Sequence, residues 1–293
     1  MHEVNRRSGG TIEIVPLYQV SGIKSADVPA AVHEGQLDAG DAFGGALAGM
    51  DPIFSLSSLP FITATTEDAR RLAELARPLY KAAFNRRGLH LLYVTPWPAT
   101  GLWSNKPVVD IEALRALTVR TYDATSRRVI QEAGAKAENL SFTDVMPRLA
   151  DGSITAVLSS GDGGAGRKLW KWLPNFTAVN YAMPLSFAVV NAHMYAALPP
   201  EQRQVVDEAA VATEDQQWAR VQMRQVENTR RMQDAGVRIV QVPSLDVRLA
   251  MRGAAAQTVS EWMQRAGPDA TSVLEHYECL SVRAAGHLPR TDR

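Results

Sequence analysis

The chain has 293 residues, of which 46% are hydrophobic and 21% charged, and this is enough to bury the cores of two domains. Its 31 Lys and Arg residues equal its 31 Asp and Glu residues, which argues against a nucleic-acid partner. The single cysteine, Cys279, cannot form an internal disulfide, and every apolar run is shorter than the roughly 20 residues that cross a bilayer.

Short apolar runs alternate with longer stretches of helical periodicity, which predicts an α/β fold with mostly parallel sheets. Before residue 153, the pattern predicts strands at 11–18, 39–44, 90–98 and 118–122, and helices at 27–38, 66–87, 111–117, 126–134 and 142–152. After it, the pattern predicts strands at 154–160 and 237–243, extended chain at 176–191, helices at 168–173, 199–236 and 247–267, and a disordered tail at 281–293.

The helical stretch at 199–236 is unusually long. A helix of about 35 residues spans about 50 Å at 1.5 Å per residue, which exceeds the width of one small domain. We therefore expect this helix to connect two lobes.

A glycine-rich segment follows the strand predicted at 154–160. Gly161, Gly163 and Gly166 match the G-x-G-x-x-G fingerprint of dinucleotide-binding folds and stand between a strand and a helix, as that motif requires. The fingerprint also needs an Asp or Glu about 20 residues further on to bind the ribose, and residues 164–200 contain neither. An NAD(P)-dependent oxidoreductase that uses the Gly161–Gly166 turn is therefore the alternative hypothesis rather than the main one.

The sequence carries no recognisable catalytic or metal-binding pattern. Its six histidines are far apart, and no H-x-H, H-E-x-x-H or C-x-x-C motif occurs. The G-x-S-x-G nucleophile motif and the P-loop spacing are also missing. We therefore predict no enzyme activity, no cofactor and no metal.

Arg120 lies near the carboxyl end of a short predicted strand, directly before a helix. There a guanidinium can point into a crevice between lobes, and the helix N-terminus adds donors that favour a carboxylate. Alternatively, Arg120 is a surface residue paired with Asp110 or Asp123. Trp97 and Trp103 flank a strand end, where open α/β sheets bind ligands, although tryptophans also serve as core packing.

Four segments then follow one another in a recognisable order: SLPFITATTEDARRLAE, GLWSNKPVVDIEALRALTVRTY, DVMPRLADGSITAVLSS and PLSFAVVNAHMYAALPPEQRQVV. Together they resemble the solute receptors of tripartite ATP-independent periplasmic (TRAP) transporters, the C4-dicarboxylate-binding family. The resemblance covers the chain from about Val4 to Leu280. Its most specific parts are the run that ends at Arg120 and the run from Asn191 to Glu201.

The resemblance implies a two-lobed α/β receptor of the type II periplasmic-binding-protein class, with a hinge and a long interlobe helix. Such a receptor closes on an organic acid and delivers it to the TRAP membrane permease. The arginine that matches Arg120 binds the ligand carboxylate. Apart from the resemblance, Arg127 and Arg128 on the following helix are expected to be solvated or structural, with a second charge for the ligand as the alternative. Thr100 stands where sugar-acid receptors have another arginine, which disfavours a ligand like sialic acid.

One matched arginine with several aromatic neighbours favours a small monocarboxylate with an apolar or aromatic body. Backbone N–H groups of the glycine turn are expected to reach ligand oxygens. The predicted ligand contacts are Arg120, Trp97, Thr100, Trp103, Tyr122, Ser159, Ser160, Asp162 and Gly163.

Each lobe is predicted to be discontinuous: lobe I comprises residues 1–97 and 186–225, and lobe II comprises residues 98–185 and 226–280.

Receptors of this family begin with a secretion signal, a first strand and a first helix. The N-terminus, MHEVNRRSGG, looks instead like the end of that first helix, which would leave one sheet position empty. The resemblance implies a periplasmic location. A cytoplasmic protein on the same fold, without a transporter, is a further alternative.

Overall fold

The structure, a computed structural model, describes residues 2–18 and 22–286. The helices are α1 (His2–Arg7), α2 (Val28–His33), α3 (Thr66–Asn85), α4 (Ile111–Arg115), α5 (Ala124–Glu132), α6 (Phe142–Ala150), α7 (Gly161–Gly166), α8 (Ala192–Ala197), α9 (Pro200–Asp234) and α10 (Leu245–Gly286), which is kinked at Gly267. The strands are β1 (Ala39–Phe43), β2 (Leu89–Pro96), β3 (Thr100–Ser104), β4 (Thr118–Thr121), β5 (Lys136–Asn139), β6 (Ala156–Ser160), β7 (Asn175–Thr177), β8 (Leu185–Asn191) and β9 (Arg238–Val240).

The strands form two sheets, one in each lobe. The smaller sheet has the order β1-β8-β2 and is antiparallel throughout. The larger sheet has the order β5-β4-β6-β3-β7-β9, in which β4 is parallel to β5 and β6 while β3 is antiparallel to both neighbours. The two-lobed α/β fold is confirmed, but the prediction of mostly parallel sheets is wrong. The reason is that β3 and β8 each follow a crossing between the lobes and so enter their sheets from the opposite end.

The two crossings lie side by side and form the hinge. The Trp97 N–H donates to the Pro184 carbonyl, and the Thr100 N–H donates to the Ala182 carbonyl, both at 2.9 Å. Helix α9, 35 residues long, packs on β2 of the smaller sheet and on α7 of the larger lobe, so the predicted interlobe helix is present. Helix α10 likewise contacts both α3 and α5. The lobe boundaries given above remain a prediction.

Side chains cap several helices and thereby fix where they begin. Thr65 and Asp68 form a reciprocal capping box at the start of α3. At the start of α4, Asp110 accepts a hydrogen bond from the Ala113 N–H at 2.8 Å. Gly88, with φ of +68°, lies just beyond the end of α3, where a left-handed residue turns the chain into β2.

Two terminal predictions need correction. Residues 11–18 form no strand; they are mostly solvent-exposed, and no described strand pairs with them, so their backbone lacks the ladder that would make them a strand. The tail predicted at 281–293 is not wholly irregular, because α10 continues to Gly286. Residues 287–293 lie outside the described residues.

The glycine-rich run is itself helical and forms α7, with Ser160 as its N-cap. It therefore lacks the open strand-to-helix turn of a dinucleotide fingerprint. A Cβ on Gly164 would lie 2.2 Å from the ring of Trp103, which is fully buried beneath it. Close packing of helix on indole explains why glycine stands at this position.

We expect Gly164→Ala to lower the free energy of unfolding by about 1–3 kcal/mol, because a buried indole must shift to admit the methyl group. Gly166→Ala is the matched control, since its Cβ would meet no atom within 4 Å. The control should be neutral or stabilising by up to about 1 kcal/mol through helix propensity. Urea unfolding followed by circular dichroism measures both. Equal effects of the two substitutions would refute the packing explanation.

Candidate functional site

Arg120 is a buried cation of the larger lobe. It lies in β4, is 5% exposed, and its Nε donates a hydrogen bond to the Leu140 carbonyl oxygen at 2.7 Å. Its guanidinium carbon lies 4.2 Å from the centroid of the Phe142 ring. Its two Nη atoms make no hydrogen bond or ion pair with any described residue. Burial lowers the pKa of Arg120 to about 10, so it remains a cation at neutral pH with free donors.

This placement argues against the interpretation of Arg120 as a surface residue paired with Asp110 or Asp123, while its contact with ligand remains a prediction. Arg120 is not a surface residue, and Asp110 is engaged at the start of α4. Asp123 is near enough to interact electrostatically with Arg120, but the two form no direct ion pair.

Arg167 brings a second cation to the same place. Its guanidinium carbon lies 4.0 Å from the centroid of the Phe142 ring, so Arg120 and Arg167 both pack on one aromatic side chain. Partial burial lowers the pKa of Arg167, and its charge in turn lowers the pKa of Arg120. Among the described residues, no carboxylate forms an ion pair with either arginine. The positive charge here is therefore unbalanced and favours an anion.

Asp123 supplies a buried carboxyl group beside Arg120. Its Oδ1 caps α5 by accepting hydrogen bonds from the Ser126 N–H at 2.7 Å and the Ser126 hydroxyl at 2.6 Å. Its Oδ2 is buried and has no hydrogen-bond partner among the described residues. Burial raises the pKa of Asp123 to about 6, against the opposing effects of hydrogen bonds from Ser126, the charge of Arg120 and the nearby hydroxyl of Ser58.

Two tyrosine hydroxyls add to this group of unpartnered polar atoms. The hydroxyls of Tyr122 and Tyr181 are buried without a hydrogen-bond partner among the residues described, and their ring centroids lie 6.4 Å apart. Burial raises the pKa of both, and the charge of Asp123 raises them further. Buried polar atoms are almost always hydrogen-bonded, so several orphans around one arginine indicate space for a ligand or ordered water.

The smaller lobe covers the cluster formed by Arg120, Tyr122, Asp123 and Tyr181. The ring of Phe43, at the end of β1, contacts the ring of Tyr122 edge to face, with centroids 5.5 Å apart. A Cβ on Gly45 would lie 2.9 Å from Oδ2 of Asp123, so only glycine allows this approach of the backbone. The site therefore lies between the lobes. It combines free guanidinium donors, an unpartnered carboxyl oxygen and aromatic walls.

One protein-family model, that of the bacterial extracellular solute-binding proteins, family 7 (DctP), matches residues 1–265. The chain belongs to this family. Its members are solute receptors rather than enzymes, so the hypothesis of an oxidoreductase at Gly161–Gly166 is wrong. A comparison with curated protein sequences found no significant match.

Solved structures of similar fold agree with this assignment. DctP7, an extracytoplasmic solute receptor of Bordetella pertussis that binds pyroglutamic acid, is 26% identical with a TM-score of 0.89, over 94% of this chain and 92% of that one. A marine metagenome TRAP solute-binding protein specific for pyroglutamate is 24% identical with a TM-score of 0.88, over 94% and 91%. A receptor of Ralstonia eutropha H16 with bound (S)-2-acetolactate is 19% identical with a TM-score of 0.87, over 96% and 92%.

The DctP-family assignment confirms the predicted TRAP receptor and its periplasmic location. It also implies a TRAP permease as the partner that accepts the solute. Within residues 2–18 and 22–286, no helix is both long and apolar enough to cross a bilayer.

Several residues that we expected to contact ligand in this DctP-family receptor have other partners. Trp103 is 0% exposed and packs in the core under α7, so it cannot serve as an open ligand platform. The Gly163 N–H donates to the Ser160 hydroxyl at 3.3 Å and is therefore not free for a ligand oxygen. Ser159 and Ser160 are 7% and 5% exposed, and a Cβ on Gly163 would lie 2.4 Å from Oγ of Ser159. Ligand contacts by these two serines remain a prediction.

Asp162 is also engaged elsewhere, and its contact with ligand remains a prediction. Its carboxylate accepts a hydrogen bond from the Asn228 side chain and lies 3.4 Å from Nε of Arg224, both on α9. Arg224 in turn donates to the Pro96 carbonyl oxygen at 2.9 Å. Since Pro96 ends β2 and Asp162 lies in α7, Arg224 connects the two lobes.

The remaining predicted residues divide between the cluster and its surroundings. Thr100 is brought to the cluster, where its hydroxyl lies beside that of Tyr122 and lowers the pKa of that tyrosine. Trp97 donates from Nε1 to the Ser186 hydroxyl at 3.0 Å and is 37% exposed, so its contact with ligand remains a prediction. Arg128 forms ion pairs with two glutamates on α5 and α10, and Arg127 is exposed on α5.

Sequence reasoning missed Phe142, Arg167 and Tyr181 as parts of the site, and treated Asp123 only as a partner of Arg120. One signal was available for Phe142, which begins α6 directly after a strand of the same sheet as β4. Arg167 directly follows the glycine run. Its position depends on that run being a helix packed onto Trp103, which the sequence does not indicate. Tyr181 lies in the second crossing between the lobes, and only the paired hinge backbone places it beside Tyr122.

Proposed function

We propose that this receptor binds a small monocarboxylate that also carries a hydrogen-bond donor, and that pyroglutamate is its leading candidate ligand. The observation that carries the proposal is the pairing of free guanidinium donors on buried Arg120 with the unpartnered Oδ2 of Asp123. The guanidinium donors suit a ligand carboxylate, and Oδ2 suits a ligand N–H or O–H close to that carboxylate. The receptor would then deliver the solute to its TRAP permease.

The carboxylate half of the proposal rests on Arg120. Its Nε is already bonded to Leu140, which orients the guanidinium and leaves the Nη atoms as a fork. Charge-assisted pairs of arginine and carboxylate are strong and directional, and more so when water is excluded. Arg167 adds a second positive charge at the edge of the site, which attracts the anion without requiring a second carboxylate.

The donor half of the proposal rests on Asp123. At neutral pH its carboxylate is ionised, because its pKa is about 6, and Oδ2 then acts as an acceptor only. A ligand N–H directed at Oδ2 would satisfy a buried charged oxygen that accepts no hydrogen bond from a described residue. In pyroglutamate, the lactam N–H is adjacent to the carbon that bears the carboxylate, so one small molecule presents both groups.

The similar structures support the same ligand class. DctP7, at 26% identity, binds pyroglutamic acid, and the marine metagenome receptor is specific for pyroglutamate. The receptor that binds (S)-2-acetolactate also takes a carboxylate with an adjacent donor, in that case a hydroxyl group.

The donor requirement is tested with an analogue that changes a single atom. In 5-oxotetrahydrofuran-2-carboxylate, a ring oxygen replaces the lactam N–H of pyroglutamate, while size and charge stay the same. Calorimetric titration at pH 7.5 should show pyroglutamate binding about 10–100 times more tightly than this lactone, because the lactone leaves Oδ2 of Asp123 unpaired. In Asp123→Asn, the difference should shrink. Equal affinities in the unmodified protein would contradict the proposed role of the donor, and no saturable binding of either would exclude this ligand.

A further inference from the structure

A cavity of about 280 Å³ lies beside the hinge crossing at 178–180. Four separate parts of the chain line it: the segment at 61–64, the crossing at 178–180, the β9–α10 connection at 241–243, and the first turns of α10. A second cavity of about 250 Å³ shares Phe61 and Arg252 with the first. Neither cavity includes Arg120 or Asp123 in its lining, so both are separate from the candidate solute site.

The polar lining of the first cavity is suited to an anion. Arg248 and Arg252 stand on its α10 side, and the side-chain amides of Asn180 and Gln241 are the other strong donors. Within the part of the chain that the structure describes, no Asp or Glu lines either cavity. Among the described residues, neither arginine forms an ion pair or a side-chain hydrogen bond, and Arg252 instead stacks over the Phe61 ring at 5.2 Å.

Backbone strain marks the same cavity. Phe61 has φ of +60° and Asn180 has φ of +48°, and both line it. A bulky aromatic residue in the left-handed region is unusual, and such outliers cluster at ligand sites because the surrounding structure must hold them. The Phe61 N–H donates to the Tyr181 carbonyl at 2.7 Å, which holds the Phe61 backbone where this residue lines both cavities.

The second cavity extends the first with an apolar surface. Apart from Arg252, its lining is hydrophobic and includes Ile62, Ala255, Ala256 and Val259. A ligand with its anionic group at the arginines therefore has room for an apolar body across the Phe61 ring. This combination distinguishes an organic carboxylate from inorganic phosphate, which has no apolar part to bury.

We propose that this hinge cavity, lined by Phe61, Asn180, Gln241, Arg248 and Arg252, is a second binding site for a carboxylate with an alkyl or aryl body. Its occupant contacts the crossing at 178–180, which leads directly into Tyr181 and the solute site. The site is independent of the proposed solute, because it shares no lining residue with the Arg120 cluster.

The test uses the full chain carrying Arg120→Ala, so that carboxylate binding at the solute site is disabled. Acetate, butanoate, hexanoate and octanoate are titrated by calorimetry in buffer free of phosphate. We expect saturable binding that tightens about fourfold for each added methylene group, as burial in an apolar cavity requires. Adding Arg248→Gln and Arg252→Gln should weaken hexanoate binding about tenfold or more through loss of charge-assisted bonds. Both arginines are exposed and form no ion pair with a described residue, so we expect the fold to be preserved.

Arg230→Gln is the matched control, because Arg230 is 82% exposed on α9, away from both cavities, and should leave hexanoate binding unchanged. Absence of saturable binding in the Arg120→Ala protein would overturn the proposal. So would hexanoate affinity that is unaffected by the double substitution. Inorganic phosphate that displaces hexanoate at equal concentration would show a simple anion site and would refute the proposed ligand class.

Discussion

Replacing Arg120 by alanine is expected to weaken pyroglutamate binding by about 2–5 kcal/mol, which is a loss of about 30-fold to several thousandfold. The reason is that the ligand carboxylate would be buried between the lobes with no direct cationic partner. Arg167 remains, but it lies on the exposed side of the site and is only partly desolvated. Isothermal titration calorimetry at pH 7.5 measures the change.

Arg127→Ala is the matched control for this substitution. Arg127 is exposed on α5, seven positions along the chain, and we expect its replacement to leave affinity within about twofold of the unmodified protein, as for most surface substitutions. Arg120→Lys should fall between the two, because lysine keeps the charge but not the planar fork. The folded state should survive these changes, since the Arg120 guanidinium makes only one hydrogen bond to a described residue, at Leu140. If Arg120→Ala and Arg127→Ala weaken binding equally, Arg120 is not the anchor.

The second large effect concerns stability and pH. Burial raises the pKa of Asp123 from 3.8 to about 6, so the folded state binds its proton more tightly than the unfolded state does. The stabilisation that this provides is fully present below about pH 3.8 and is lost as the pH rises through about 6. A shift of about two units corresponds to roughly 3 kcal/mol. We therefore expect Asp123→Asn, which can still cap α5, to be more stable than the unmodified ligand-free protein at pH 8, with the difference vanishing near pH 4.

Urea unfolding between pH 4 and 8 measures this difference. Asp151→Asn is a control of opposite sign: Asp151 is exposed, and hydrogen bonds from Ser153 lower its pKa, so its loss should cost stability above pH 4. Asp41 is solvent-accessible, but neighbouring groups partly desolvate its carboxyl group and raise its pKa to about 6. Because Asp41 is still present in Asp123→Asn, the stability of that variant should still fall as the pH rises. A constant stability difference between Asp123→Asn and the unmodified protein from pH 4 to 8 would contradict the buried-carboxyl account.

The sequence pattern was enough to predict the α/β lobes, the long helix α9 and the approximate positions of α3 and α4. These features depend on local periodicity and on residues a few positions apart. Strand direction was harder, because β3 and β8 are antiparallel only as a result of chain crossings between lobes. The prediction of a strand at 11–18 was wrong for a related reason, since a strand needs a pairing partner that local sequence does not supply.

The candidate site also contains residues that local sequence indicates and residues that only the tertiary structure brings together. Arg120 was identifiable from its position at a strand end, next to a helix start. Asp162 was placed in the site by proximity in sequence, yet it bonds to Asn228 of α9, 66 positions away. Tyr181 and Gly45 reach the cluster only through the pairing of the two lobes, so no local motif indicates them. The glycine-rich run proved to be helical, and Gly164, which is not one of the three fingerprint glycines, packs onto Trp103.

The most direct test is a crystal structure of the protein with bound pyroglutamate. We expect the ligand carboxylate to lie within hydrogen-bond distance of the Nη atoms of Arg120, with the lactam N–H donating to Oδ2 of Asp123. A pyroglutamate carboxylate bound elsewhere, with the Arg120 guanidinium still free, would contradict this expectation.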